Sequence, residues 1–474
     1  MTLPAKFVER VLRDLGETEG AALCAALDAE PPVSVRLNPA KTGAETVSAG
    51  PDAGLPVPEA AGLPALAIAG RVPWSRDGRY LAVRPSFTLD PDFHAGAYYV
   101  QEASSQFVGH LLAAVRTEGA RILDLCAAPG GKTTLYASLA GPDGLVVANE
   151  IDRRRASVLA DNVRKWGTGN VAVTTCEPRA LGDFEAWFDV VAVDAPCSGE
   201  GLFRKDPDAR GEWSEGNVKQ CAARQDEILR EAWRALRPGG TLVYSTCTFN
   251  RDEDEGALER MAAWAGDEIA ESEETAVEDA WGIVCGRVGA FRTFRFYPHR
   301  TCGEGFFAAV ARKSFDAGGR VRAPKARRTV FAAVDRKTAG ELARWVRNPG
   351  GMHFAAVADT FYAWYAAQAD AVRTLSEALP VIYSGVALGQ VFKGVLKPDP
   401  ALAFFDGLNR GALPAAELDD EETLRFLRRQ DIAAGGLAEG MNLVCSRGRA
   451  LGFAKRIGAR VNNLYPNSLR IIKQ

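Results

Sequence analysis

Between residues 121 and 246 short apolar runs alternate with amphipathic stretches, and this rhythm constrains the fold more than any other feature of the 474-residue chain. Five runs read as buried strands: 121–125 (Arg-Ile-Leu-Asp-Leu), 145–150 (Leu-Val-Val-Ala-Asn-Glu), 171–174 (Val-Ala-Val-Thr), 188–194 (Phe-Asp-Val-Val-Ala-Val-Asp) and 241–246 (Thr-Leu-Val-Tyr-Ser-Thr). A glycine-containing turn with a helix, an amphipathic helix over 153–166 and a helix over 221–236, ended by Arg-Pro-Gly-Gly, fall between them. Strands separated by helices predict a doubly wound, mostly parallel sheet, that is, a Rossmann-like α/β core. Ligands of such sheets bind beyond the carboxyl ends of the strands, so chemistry is expected in the residues that directly follow each run.

The flanks read differently. Apolar positions at helical spacing over 7–27 predict one or two short helices, and the alternation of 33–39 predicts a strand. Residues of about 41–75 read as Gly- and Pro-rich loops. Residues 1–95 therefore form a small N-terminal α/β lobe, and 96–312 the core. Residues 311–328, rich in Gly, Lys and Arg, suggest a linker, placed at 313–330. Short strand-like pieces at 381–383, 388–396 and 451–455 predict a β-rich module over 331–474.

Four segments carry candidate chemistry. The first is Asp-Leu-Cys-Ala-Ala-Pro-Gly-Gly-Lys-Thr-Thr at 124–134, where small residues let a ligand approach the backbone. Its Gly-Lys-Thr ending invites a triphosphate-loop reading, but that motif needs a glycine where Cys126 stands. The second is Glu150, 26 residues past Asp124, at the strand end where dinucleotide folds place a ribose-binding acid; Asp152 is a rival. A glycine turn plus a strand-end acid suits an adenosine cofactor without a triphosphate, of which S-adenosylmethionine is the simplest. The third and fourth are Asp-Ala-Pro-Cys-Ser-Gly-Glu-Gly at 194–201 and Ser-Thr-Cys-Thr-Phe at 245–249. They put Cys197 and Cys247 at the ends of two consecutive strands. Other cysteines (Cys24, Cys176, Cys221, Cys285, Cys302, Cys445) read as small core hydrophobes. Paired strand-end cysteines fit cytosine methylation. A thiolate adding to carbon 6 makes carbon 5 nucleophilic, and a second group must then help remove the carbon-5 proton and release the enzyme.

These three motifs, in this order, resemble the Nop/Sun family of RNA cytosine-5 methyltransferases. Leu3-Pro4, Phe7, Arg10, Ser-Val-Arg-Leu-Asn at 34–38 and Tyr-Tyr-Val-Gln-Glu-Ala-Ser-Ser at 98–105 resemble that family's N-terminal lobe. Leu-Gly-Phe-Ala-Lys at 451–455 and Asn-Leu-Tyr-Pro at 463–466 resemble the C-terminal module of its bacterial small-subunit rRNA methyltransferase F group. The resemblance implies a class I S-adenosylmethionine-dependent methyltransferase core and a PUA-like, RNA-binding C-terminal region. It implies Cys247 as the nucleophile, Cys197 as the cysteine needed for release, and Asp194 beside both methyl donor and cytosine. It further implies that Cys126, Ala127, Ala128, Pro129, Gly130, Gly131 and Lys132 line the methionine part of the cofactor. Glu150 matches the ribose acid, Arg155 lies close by, and Glu177 stands where the group often has Asp at the adenine.

The implied substrate is RNA, with 16S rRNA or the small ribosomal subunit favoured and transfer RNA the alternative. An amino-group methyltransferase is disfavoured, because amine chemistry needs no cysteine pair and prefers an Asn/Asp-Pro-Pro-Tyr/Phe segment after the fourth strand. A non-catalytic RNA-binding assembly factor on the same fold is a further alternative.

Composition adds exclusions. The formal net charge of −3 gives no global nucleic-acid signal, yet residues 441–474 carry seven basic and no acidic side chains. That tail is expected to supply phosphate contacts. No apolar run approaches the ~20 residues of a bilayer span. The N-terminus has no signal-peptide pattern. Nine cysteines without a C-x-x-C pair and four scattered histidines suggest a reduced, metal-free cytoplasmic protein, with a monomer as the default.

Overall fold

The computed structural model describes residues 2–43 and 63–472. At its centre lies a mixed sheet whose strands we number in chain order: β1 (Arg121–Asp124), β2 (Leu145–Asn149), β3 (Val171–Thr174), β4 (Phe188–Asp194), β5 (Leu236–Thr246), β6 (Ile269–Ala270), β7 (Val284–Val288), β8 (Phe291–Phe296), β9 (Phe306–Lys313) and β10 (Val381–Ser384). The order is β7-β8-β9-β5-β4-β1-β2-β3-β10, with β6 on β9. The five strands expected from the sequence, β1 to β5, are parallel. Their order reverses between β1 and β4, which creates the crevice where ligands bind in open α/β sheets. Val147, Val191 and Leu242 point into a core on one face of the sheet, and Ile122, Val146 and Val190 into one on the other. Burial on both faces is why these strands read as unbroken apolar runs.

The antiparallel half was not expected. Strands β7, β8 and β9 extend the sheet beyond β5, with Phe294, Phe296 and Phe306 in its core. Strand β9 also corrects the linker. Residues 311–313 belong to the sheet: Ala311 is buried and the Lys313 ammonium donates to Trp233 O at 2.9 Å. Further on, Arg322 N donates to Glu185 O and Arg327 N to Glu377 O. The helix expected over 221–236 runs over Glu215–Ala235, because Ser214 caps its first turn by accepting from Asn217 N.

Two helices, Ala5–Leu15 and Glu17–Leu27, open the N-terminal lobe. Its antiparallel sheet has the order Ile68–Arg71, Gly78–Leu81, Val33–Leu37, Tyr98–Tyr99. The expected loop over 41–75 thus contains a strand, Ile68–Arg71; residues 44–62 of that expectation lie outside the described residues. The polar positions of Val33–Leu37 do not face solvent. Ser34 and Arg36 are buried because they bond into the core. Arg36 donates to Gln101 Oε1 (2.8 Å), Gly131 O (3.1 Å) and Thr134 Oγ1 (2.6 Å), and stacks on Trp166 at 4.4 Å.

Beyond residue 330 stand a five-stranded sheet and a four-stranded sheet, the second built from Ala415–Glu417, Gly440–Ser446, Arg449–Ile457 and Arg460–Asn463. The piece expected at 381–383 belongs instead to the central sheet. As β10 it pairs antiparallel with β3 and covers an edge that would otherwise expose unpaired peptide groups. Three of the basic tail's six described cations are committed to structure. Arg447 reaches Asp92 (2.8 Å) and Asp420 (2.9 Å), Arg449 reaches Asp92 (2.7 Å), and Arg456 donates to Ala434 O and Leu437 O. Lys455, Arg460 and Arg470 are exposed.

Asp92 is 1% exposed and bridges both arginines, so it ties the C-terminal module to the N-terminal lobe. Asp92→Ala leaves two half-buried guanidinium groups short of a partner and is predicted to cost about 3 kcal/mol. Unchanged hydrogen exchange in the Arg449–Ile457 strand and an unchanged melting temperature would refute this clamp.

Candidate active site

The four segments that carry candidate chemistry fall at the carboxyl edge of the parallel strands. The β1 loop turns at Gly130, whose φ of +110° suits glycine, and a Cβ there would come within 3.0 Å of Leu159. The helix Gly131–Ala140 follows at once. This loop bounds a cleft of about 520 Å³, counting its open mouth, walled by Cys126, Ala127, Ala128, Pro129, Gly131, Lys132, Asp124 and Asp194. The N-terminal lobe closes the other side with Tyr99, Gln101 and Ser105. Tyr99 OH donates to Pro129 O at 3.1 Å, and Asn162 Nδ2 donates to the same carbonyl at 2.8 Å.

Lys132 Nζ lies 2.8 Å from Asp194 Oδ2, and Ser245 Oγ donates to Asp194 Oδ1 at 2.8 Å. Burial alone would lower the Lys132 ammonium pKa, but Asp194, with smaller contributions from Cys247 and Asp124, outweighs it and holds that pKa above the usual lysine value. Cys197 Sγ and Cys247 Sγ are 3.4 Å apart. Contact with Cys247, then burial, pushes the Cys197 thiol well up. Burial also pushes the Cys126 thiol up, which leaves it a neutral wall of the cleft.

The loops that present the two cysteines are tied together. Gly201 N donates to Cys247 O at 2.8 Å, and Ser198 Oγ and Thr248 Oγ1 are 2.9 Å apart. A Cβ on Gly201 would lie 2.5 Å from Gly305 O, so only glycine permits this approach. Glu200 is fully buried and accepts from Arg10 (2.6 Å), Trp213 Nε1 (2.9 Å) and Phe249 N (3.2 Å).

The remaining expected residues spread along the edge. Glu150, at the end of β2, is buried; its carboxylate accepts from Asp152 N at 3.0 Å and pairs with Arg155 at 3.2 Å. Arg155 reaches back to Ala128 O at 3.1 Å. Glu177 is exposed one strand further on, just ahead of the helix Pro178–Gly182, and makes no side-chain cap to it. Three contributors were given no role in the sequence reading. Asn149 holds three strand ends together: its Oδ1 accepts from Thr174 Oγ1 (2.9 Å) and Cys176 N (3.1 Å), while its Nδ2 donates to Cys176 O (3.0 Å) and Leu125 O (3.4 Å). Its place beside Glu150 at a strand end was the available signal. Asp124 and the Glu253–Gln225 pair behind Cys197 are the others. Among the described residues no cluster of three or more His, Cys, Asp or Glu side chains is set to hold a metal, and no helix is long and apolar enough to cross a membrane.

The residues fit S-adenosylmethionine. Asp124, which lines the cleft, accepts from Thr133 Oγ1 at 2.6 Å through Oδ2, while its buried Oδ1 has no donor among the described residues. An unmatched carboxylate oxygen there suits the ammonium of an amino-acid moiety, and Glu150 stands at the next strand end for hydroxyl groups.

Sheet order, switch-point cleft and strand-end acids define a Rossmann-like methyltransferase. Comparison with known proteins narrows this. The family described as 16S rRNA methyltransferase RsmB/F matches residues 111–312, the N-terminal domain of 16S rRNA methyltransferase RsmF matches 3–103, and the methyltransferase RsmF PUA domain matches 414–471. Ribosomal RNA small subunit methyltransferase F of Shewanella loihica is 32% identical over 419 residues, 84% of this chain and 83% of that protein. The same-named protein of Escherichia coli is 33% identical over 425 residues, 84% of each. The crystal structure of a methyltransferase homolog protein from Pyrococcus horikoshii superposes with a TM-score of 0.53 at 27% identity, covering 65% of this chain and 94% of that one. The chain belongs to the RsmB/F methyltransferase family. It is an S-adenosylmethionine-dependent RNA cytosine-5 methyltransferase.

Burial pushes the Asp124 carboxyl up to about 7, with nearby Asp194 adding to the shift. A carboxyl raised on folding stabilises the fold in its protonated form below its unfolded pKa, and this stability is lost as pH rises through the folded value. Asp124→Asn, without cofactor, is therefore predicted to shrink the fall in melting temperature between about pH 5 and about pH 8. An undiminished fall would show that Asp124 does not titrate there.

Proposed function

We propose that this enzyme forms 5-methylcytosine in 16S rRNA of the small ribosomal subunit, in the cytoplasm, with Cys247 as nucleophile and Cys197 as the release cysteine. The observation that carries the role assignment is the 3.4 Å approach of the two Sγ atoms beside the Lys132–Asp194 pair. The substrate assignment rests on the two relatives, each named for small-subunit ribosomal RNA, whose match runs through the N-terminal lobe and the C-terminal module.

Cys247 attacks carbon 6 as a thiolate. The Lys132 ammonium, paired with Asp194, and the Cys197 thiol, 3.4 Å from Cys247 Sγ, flank the attacking sulfur. As the Sγ–C6 bond forms, the C5–C6 π electrons become available at carbon 5. S-adenosylmethionine, when bound, supplies an electrophilic methyl group. The carbon-5 proton then leaves to a base, the C5–C6 double bond re-forms, and Cys247 departs as thiolate. Cys197 assists that elimination. Asp194, held by Lys132 and Ser245, presents a partly exposed carboxylate to the base and fixes its orientation. Carbon 5 is unreachable inside a stack, so the cytosine enters single-stranded or flipped. Among the described residues, Lys455, Arg460 and Arg470 are the exposed cations of the tail and would contact phosphates.

Bisulfite sequencing of total RNA from cells with and without the gene tests the substrate. A protected cytosine lost from 16S rRNA is expected; loss from a transfer RNA would move the substrate, and no loss would overturn the reaction. For the mechanism, Cys197→Ala is expected to accumulate a denaturation-resistant protein–RNA adduct, and Cys247→Ala to form none. Equal trapping by both, or by neither, would overturn the assignment. Replacing Arg460 and Arg470 with Glu is expected to lower the salt slope of RNA binding by about 2, near one per lost phosphate contact. An unchanged slope would clear the tail of any phosphate role.

A further inference from the structure

The two peptide groups that flank Cys197 are each held by a buried side chain from a different element. On one side, Gln225 Nε2, from the helix Glu215–Ala235, donates to Pro196 O at 3.0 Å. On the other, Ser198 N donates to Glu253 Oε2 at 2.9 Å. The two holders are joined to each other, since Gln225 Nε2 also donates to Glu253 Oε2 at 3.0 Å. Gln225 and Glu253 are 0% exposed.

This arrangement is costly for a scaffold. Glu253 Oε1 and Gln225 Oε1 are both buried without a hydrogen-bond partner among the described residues. A buried polar atom left without a partner forfeits its hydration and is destabilising. An apolar pair of similar shape would avoid that cost but would leave Pro196 O and Ser198 N unheld. Glu253 itself is anchored by its own backbone, because Tyr244 OH donates to Glu253 O at 2.6 Å. Its neighbour Asp254 accepts from Thr246 Oγ1 at 2.6 Å and pairs with Arg295 at 3.0 Å. Tyr244 and Thr246 belong to β5, the strand that ends at Cys247. The chain thus leaves β5 through Cys247, turns back on that strand and reaches across to the Cys197 loop. The group that fixes the Cys197 backbone is itself referenced to the strand that carries the Cys247 thiol.

We propose that Glu253 is a positioning residue for adduct release: with Gln225 it sets Cys197 in register with Cys247, and its loss impairs elimination selectively over attack. This rests on the release role of Cys197 proposed above. Attack depends on the Cys247 thiolate and on the Lys132–Asp194 pair, none of which is hydrogen-bonded by Glu253. Release depends on where the Cys197 thiol stands, and a displacement near 1 Å costs a reacting group on the order of 100-fold.

The test uses full-length protein with unmodified 16S rRNA and S-adenosylmethionine in single turnover. Formation and decay of the denaturation-resistant protein–RNA adduct are followed separately. Glu253→Ala is expected to form adduct at close to the wild-type rate and to release it at least about tenfold more slowly. Glu253→Gln, which keeps an acceptor for Ser198 N, is expected to restore most of the release rate. In a Cys197→Ala background, Glu253→Ala is expected to slow release no further. Gln225→Leu removes the Pro196 side of the bracket and repeats the test should Glu253→Ala fail to fold. Wild-type release from both variants, equal slowing of formation and release, or an additive effect in the double variant would each overturn the proposal. If Cys197→Ala itself traps no adduct, the role of Cys197 falls, and this inference with it; trapping by Cys197→Ala with normal release from Glu253→Ala sinks this inference alone.

Discussion

The active edge is built by the need to satisfy peptide groups where parallel strands end. Inside the sheet, neighbouring strands pair these groups; past the last ladder bond they are buried and need other partners. Asn149 supplies them for the loops after β1 and β3, bonding Leu125 O and both peptide groups of Cys176. Ser245 O takes Ala195 N, and Cys247 O takes Gly201 N. Gln225 and Glu253 serve the peptides around Cys197. Once those bonds are made, the loop side chains have little choice of direction, and two thiols from separate strands meet beside one Lys–Asp pair. Backbone satisfaction and catalytic geometry are here the same set of hydrogen bonds.

Charge does the work of assembly between the parts. Arg36 leaves the N-terminal lobe as a buried cation to bond Gly131 O at the start of the cleft's helix. Lys41 is half-buried, donating to Lys165 O and Ala95 O, and desolvation lowers its ammonium pKa to about 7. With Asn38 Nδ2 on Trp166 O, these side chains satisfy the last carbonyls of the helix Arg153–Trp166. Asp92 then draws Arg447 and Arg449 of the C-terminal module onto the same lobe. Each is a charge whose partner belongs to another part of the chain, which fixes how the parts meet.

What was legible in the sequence follows from range. The cleft loop, the Asp194–Cys197 segment and the Ser245–Cys247 segment are contiguous, and each strand–loop junction announces itself through a switch from apolar to small or polar residues. What failed depends on contacts between distant segments. Residues 252–255 are Asp-Glu-Asp-Glu, a run that suits solvent, yet Glu253 and Asp254 are buried behind the active cysteines. Residues 441–474 read as a phosphate-binding tail, yet Arg447, Arg449 and Arg456 are spent on internal partners. Polar Ser34 and Arg36 alternate with apolar residues along a strand, yet both are buried, Ser34 on Gln101 O and Arg36 on the helix that follows the cleft loop. In each case a charged or polar residue implies solvent until its partner is known, and the partner lies far along the chain.

By itself the sequence determined the parallel core, the edge on which ligands bind and the residue types available there, because strand and helix periodicity and motif spacing are local properties. Only the tertiary structure decided that β7 to β10 would complete the sheet, that Cys197 and Cys247 would stand 3.4 Å apart, and that Glu253 and Gln225 would hold the loop between them. Those outcomes rest on pairing between segments tens to hundreds of residues apart, where burial, not local pattern, decides which polar group finds which.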